Sequence, residues 1–246
     1  MLGSFLIHLI KLEGYLLMTF YGQPKFAAQQ PTDVPVGYEL FIREYRGNQW
    51  VLPTNFGDIS ADEIERLLTK ALRTMPESIT ILSFNLEQLQ FIDPVYIDMV
   101  ARVQATTSIR LFTELTERTD PRVTDSQLLA AAKRFHDYGL LVCMDDVGTG
   151  DNTPSLVFKL NDYIDEYKFA FQNFRPFAHI SDIAPELNFW YDLSQENDKM
   201  LAIEGLESAH DLAVVQHDYP CDIVQGYYTG KPALLPNNAD GAICES

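Results

Sequence analysis

The chain reads as an α/β protein, a (β/α)8 TIM-like barrel, and three observations predict it. First, five apolar runs stop on an acid or an amide. They are ITILSFN ending at Asn85, IRLF before Thr113 and Glu114, LLVCM before Asp145 and Asp146, MLAI before Glu204, and CDIV before Gln225. Such runs suit strands buried on both faces, and polar groups repeated at their C-terminal ends suit the mouth of a closed parallel barrel. Second, amphipathic helical patterns separate these runs. Third, 246 residues suffice for one such barrel.

In chain order, FYGQPKF predicts the first strand, and the segment 38–45 the second after a loop rich in Gln, Pro and Asp. Ser60 and Glu63 predict a capping box ahead of a helix whose apolar face carries Ile64, Leu67, Leu68, Ala71 and Leu72. Asp93-Pro94 supplies an N-cap and a first-turn proline for a helix with Val95, Met99, Val100 and Val103 inward. A helix over 125–138 stops at Gly139. After the Asp145 strand come a Gly-Thr-Gly turn, a strand over 167–171, a helix around 185–196, the Glu204 strand, a helix starting at Ser208 and the Gln225 strand. No linker divides residues 20–236, which predicts one domain over 18–236. Residues 1–17 read as an appendage, with translation expected to start at Met18, and 237–246 as a polar tail.

Composition narrows the function. A formal net charge of −17 disfavours a binder of duplex DNA or RNA, which needs a basic footprint. It leaves room for an anionic ligand held through cations. The apolar run before Lys11 and Glu13 is too short to span a bilayer, so no membrane attachment is expected. Cys143, Cys221 and Cys244 are odd in number and lack metal-site spacing, which fits a reduced, cytoplasmic setting. Cys143 reads as a small buried hydrophobe. The histidines lie away from the strand ends and read as structural or exposed. Several strand-end carboxylates with an amide and no cationic cluster call for a hard-metal site. Simpler readings stand beside that one. Asp145-Asp146 before Gly148 and Gly150 could be turn chemistry, the Lys168 stem could snorkel to water, and Tyr227-Tyr228 could serve core or mouth.

Eight motifs, in order, carry a resemblance. They are Gln23-Pro24, Glu39-Leu40-Phe41-Ile42-Arg43, Phe84-Asn85-Leu86, Glu114-Leu115-Thr116-Glu117, Asp145-Asp146-Val147-Gly148-Thr149-Gly150, Asp165-Glu166-Tyr167-Lys168, Ile203-Glu204-Gly205-Leu206-Glu207, and the segment from Gln225 to Pro232. The chain resembles the EAL-domain cyclic-di-GMP phosphodiesterases over roughly 20–236. The resemblance implies a barrel with one antiparallel strand and hydrolysis of cyclic di-GMP to linear 5'-pGpG with two divalent cations, Mg2+ or Mn2+. It implies metal ligation by Glu39, Asn85, Glu114, Asp145 and Asp146, with Asp145 bridging. Lys168, Glu204 and Gln225 would act on the attacking water alongside Glu39. Gln23, Arg43, Asn85 and Gln225 would meet substrate, Glu117 would anchor the loop after Gly150, and Glu207 would stand behind the ligands. A homodimer is a further expectation of the resemblance.

The chain departs from the family pattern in that loop, where Val147 and the run 151–156 replace a Phe and a Tyr-Ser-Ser-Leu, and at Ala170, where an Asp is usual. Two rival readings follow. A module could bind cyclic di-GMP or a protein without turnover, and a metal hydrolase could act on another phosphodiester.

Overall fold

In the computed structural model, which describes residues 17–30 and 34–235, eight strands close a barrel. They are β1 (Met18–Ala27), β2 (Gly37–Arg46), β4 (Ile81–Leu86), β5 (Arg110–Leu115), β6 (Leu141–Met144), β7 (Glu166–Ala170), β8 (Met200–Glu204) and β9 (Ile223–Val224). Short strands β3 (Gln49–Val51) and β10 (Ala233–Leu234) extend β2 and β1 outside the ring. Neighbours from β2 to β9 run parallel, and β1 closes the ring antiparallel to both β2 and β9. The expected appendage and tail fall outside the described residues, Leu17 excepted.

Seven α-helices cover the ring among the described residues: α1 (Ala61–Leu72), α2 (Gln88–Ile92), α3 (Pro94–Gln104), α4 (Asp125–Asp137), α5 (Pro154–Leu160), α6 (Ala184–Glu196) and α7 (Ala209–Asp218). Outward-facing strand residues such as Leu82, Phe84, Val142, Met144, Tyr167 and Ile203 pack under them in one large apolar core. Phe91 of α2 stacks on Phe135 of α4 with ring centroids 4.8 Å apart.

Local sequence explains the helix ends. Ser60 Oγ accepts from the Glu63 amide at 3.3 Å, but the expected capping box is only half made. The Glu63 carboxylate turns instead to Arg66, 2.8 Å from its Nε, because the cation three residues on is the stronger partner. Asp93 caps α3 as expected. Val95, expected inside, is 56% exposed. At 3.6 residues per turn it falls beyond Met99, just outside the arc that Ile97, Val100 and Val103 bury. Ile97 takes its place beside Met99, Val100 and Val103. Gly139, at φ +69°, ends α4.

Inside the ring the side chains form layers. Ile81, Phe112, Cys143, Ala202 and Ile223 make a dry apolar plug at the base. Strand alternation then places Gln23 and Lys25, Glu166 and Lys168, and Cys143 on the inner face. Polar groups accumulate above the plug toward the strand C-terminal ends.

The turn after β6 is tied on several sides. Asp146 takes φ +47°, a left-handed conformation that costs a non-glycine residue energy. Gly150, at φ +50°, lies so close to Glu117 that a Cβ there would meet the Glu117 carbonyl at 2.2 Å, so only glycine fits. The Asp151 amide donates to that same carbonyl at 2.8 Å. Asn152 is fully buried, and its Nδ2 donates to the carbonyls of Leu115, at 3.0 Å, and Asp145. One amide thus joins the end of β5 to the residue after β6. Removing it leaves the buried Asp145 carbonyl without its donor, while the Leu115 carbonyl keeps the Asp145 amide at 3.2 Å. Asn152→Ala should lower the unfolding free energy by about 1–3 kcal/mol. Urea denaturation measures this, and an unshifted midpoint would show that the amide does not hold the turn.

Candidate functional site

Lys168 stands on the floor of a cleft of about 600 Å3 and is 2% exposed. β7 carries it inward, so its stem does not snorkel to water. Its ammonium lies 2.7 Å from Glu114 Oε2, 3.2 Å from Glu39 Oε1, 2.8 Å from Asp145 Oδ1 and 3.5 Å from Glu204 Oε2. The Asp145 contact is close in distance but is not aligned as a hydrogen bond. Carboxylates from β2, β5, β8 and the end of β6 therefore meet at a single nitrogen. Burial works against the charge of Lys168, but Asp145, Glu114, Glu204 and Glu39 outweigh it and hold the pKa well above that of an ordinary lysine.

The carboxylates divide in their response. Burial and the Glu114 charge push Glu39 up to about 7, against the pull of the lysines. Burial likewise raises Glu204 to about 7. Glu114 is buried too, yet Lys168 and Lys25 overcome that penalty and lower its pKa. Five buried carboxylates (Glu39, Glu114, Asp145, Glu166 and Glu204) face two buried ammonium groups, Lys25 and Lys168. Three negative charges go unmatched, before the half-buried Asp146 and Glu117 are counted. Such a set must take up protons or cations.

The donor chemistry fits hard divalent cations. Glu39 Oε1 accepts from Asn85 Nδ2 at 3.2 Å and its Oε2 from Gln225 Nε2 at 2.7 Å. That leaves Asn85 Oδ1, Gln225 Oε1 and Asp146 Oδ1 buried with no donor. Carbonyl and carboxylate oxygens without partners are what Mg2+, Mn2+ or Ca2+ coordinate. Asp145, Asp146 and Glu117 each present a carboxylate oxygen within 4.8 Å of the others.

Most residues singled out from the sequence line this cleft, including Gln23, Glu39, Arg43, Asn85, Asp146 and Gln225. Glu114 lies beneath the floor. Gln23 donates to the Gly230 carbonyl at 3.0 Å. The Arg43 guanidinium lies over the rings of Tyr21 and Phe41, at 5.4 and 5.8 Å. The Glu117 backbone carbonyl accepts from the Asp151 amide at 2.8 Å, just past Gly150. Glu207 sits on the rim, 3.3 Å from Arg175. Tyr227 and Tyr228 are 61% and 48% exposed, so neither belongs to the core, and Tyr227 forms part of the cleft wall. The described histidines are exposed, and Cys143 is buried as expected.

Sequence reasoning missed four participants. Lys25 and Glu166 lie on the inner faces of β1 and β7, two residues from Gln23 and Lys168, and the period of two could have found them. Gln172 donates to Glu204 Oε1 at 2.6 Å from a 3-10 turn after β7, which no pattern announced. Asn152 lay in a stretch that looked like a departure in a loop. Gly205, at φ +78°, lets Gln172 approach; a Cβ there would sit 2.0 Å from its Oε1.

Comparison with known proteins agrees with this fold. The probable cyclic di-GMP phosphodiesterase PdeG of Escherichia coli K12 is 26% identical over 178 residues, which is 70% of this chain and 33% of that protein. The chain thus spans about a third of the length of this curated relative. Among solved structures, the PaMucR phosphodiesterase in its c-di-GMP complex superposes with a TM-score of 0.69 at 23% identity, covering 88% of this chain and 97% of that one. The FimX EAL domain of Pseudomonas aeruginosa bound to c-di-GMP gives 0.69 at 16%, covering 94% and 95%. The Bacillus subtilis YkuI protein, with an EAL domain, gives 0.70 at 17%, covering 92% and 58%. At these identities the structures speak for the fold. The EAL domain profile matches residues 19–232, and on that match the chain belongs to the EAL domain family.

Proposed function

We propose that the chain hydrolyses cyclic di-GMP to linear 5'-pGpG with the help of two divalent cations, Mg2+ or Mn2+. The observation that carries this reading is the convergence of Glu39, Glu114, Asp145 and Glu204 on Lys168, ringed by buried acceptor oxygens that have no donor. The names of the similar proteins point to the same nucleotide. Glu39, Asn85, Glu114 and Asp145 would hold one cation, and Asp145 with Asp146 the second. When bound, these ions would supply Lewis-acid polarisation of the phosphoryl oxygens and acidify a water.

The chain's own groups would do the rest. The Lys168 ammonium, released from part of its carboxylate cage, is placed to hold a phosphate oxygen or the attacking water. Glu204, held by Gln172, can orient that water or take its proton. Gln225 would position the water, and Arg43 would donate to a phosphate oxygen. Gln23 and Asn85 would meet substrate. Phe41, Leu52, Phe56 and Ile59 give the cleft an apolar side suited to purine faces. A cytoplasmic setting belongs to this reading and is supported by two free buried thiols, Cys143 and Cys221. No described helix is long and apolar enough to cross a membrane. A homodimer is supported by the family resemblance.

Incubation with cyclic di-GMP and Mg2+ or Mn2+ should yield the linear dinucleotide, and EDTA should stop it. Tight binding without linear product would make the chain a sensor. Glu39→Ala removes one carboxylate from the cage and should lower turnover about 100-fold or more; a wild-type rate would take Glu39 out of the site. Lys168→Ala should depress kcat by a larger factor than it raises KM, and steady-state kinetics showing the opposite split would contradict its role.

A further inference from the structure

Beneath the cleft floor lies a second lysine for which the proposed reaction has no use. Lys25 projects inward from β1, 1% exposed, with its Nζ 3.0 Å from Glu114 Oε1 and 3.9 Å from Glu166 Oε1. Glu114 and Glu166 are 0% and 1% exposed. The apolar plug, with Cys143 in it, closes the space below. Glu114 is thus gripped at both oxygens, Oε1 by Lys25 and Oε2 by Lys168.

We propose that Lys25 is a positioning residue that reserves Oε1 of Glu114, so that Glu114 offers a divalent cation a single oxygen and the site disfavours Ca2+ relative to Mg2+. The inference rests on the metal-dependent reading above and deepens it.

The two grips are not alike. Lys168 has three other carboxylates within 3.5 Å, so it can surrender Oε2 to an incoming cation and keep its charge matched. Lys25 has one other carboxylate, Glu166 at 3.9 Å, and no path to water. Leaving Glu114 would strand an ammonium in a dry interior, which costs several kcal/mol. Oε1 therefore keeps a fixed positive charge 3.0 Å away, which repels a second cation approaching the same oxygen. A carboxylate restricted to one oxygen suits Mg2+, which demands octahedral geometry and keeps waters. It handicaps Ca2+, which takes six to eight oxygens and accepts carboxylates in bidentate fashion.

Glu166 completes the device. Both its oxygens lack a hydrogen-bond donor, so it is not held there by bonding of its own. Its charge offsets that of Lys25, and the pair adds a hydrogen bond to Glu114 without changing the net charge of the floor.

Isothermal titration calorimetry with Mg2+ and with Ca2+ tests this on the full chain. Lys25→Met/Glu166→Gln removes one charge of each sign. The ratio of Ca2+ to Mg2+ affinity should rise about tenfold or more, the scale on which partners of metal ligands act. Glu166→Gln alone keeps the Lys25 bond and should leave the ratio within about twofold of wild type. An unchanged ratio in a folded double variant overturns the proposal. Should the double variant not fold, the Mn2+-loaded crystal structure of the wild-type chain decides. Lys25 Nζ within hydrogen-bond distance of Oε1, with only Oε2 on the ion, supports the proposal, and a bidentate Glu114 overturns it. In either case wild-type metal binding would stand, so the parent reading would survive. A wild-type chain that takes up no divalent ion overturns both.

Discussion

The burial of Lys168 among carboxylates is the interaction on which the rest of the site depends. A lone ammonium in the barrel interior would lose its proton, and lone carboxylates would gain one. Brought within 3.5 Å of one nitrogen, Glu39, Glu114, Asp145 and Glu204 keep that nitrogen charged and share its attraction. The sharing is incomplete, and burial therefore pushes Glu39 and Glu204 up to about 7. An interior so short of positive charge is poised for cations, and the same shortage makes it a poor contributor to stability when they are missing.

Around this centre the protein spends backbone strain and buried amides on placement. Asp146 accepts a left-handed conformation so that two successive carboxylates face one cleft. Gly150 and Gly205 allow main chain and Gln172 to approach more closely than any Cβ would permit. Asn152 and Gln172 hold the backbone of Asp145 and the carboxylate of Glu204. These groups sit on loops, but each is tied to a strand end, which gives a loop site the rigidity of the barrel.

Much of this was legible in the amino-acid order because barrel strands are short, buried and apolar. An acid at the end of such a run is conspicuous, so Asn85, Glu114, Asp145, Glu204 and Gln225 stood out. The antiparallel course of β1 had no such signal. FYGQPKF looks the same in either direction, and only the resemblance implied its reversal. Lys25 was hidden for a related reason, since a lysine in a first strand reads as solvent-facing until alternation is counted from Gln23. Glu63 shows the opposite limit, because capping and ion pairing compete for one side chain and sequence does not rank them. Gln172 and Asn152 were illegible because their work depends on where separate turns meet in space.

The reversed first strand also guards how the ring shuts. β1 must join β2 on one side and, across most of the polypeptide, β9 on the other. Sliding it by one residue would swing Lys25 outward into the hydrocarbon layer under the helices and drive Pro24 and Phe26 into the acid nest. Both errors are costly, so one inward cation, seated between Glu114 and Glu166, adds its weight to the backbone pairing that aligns the seam.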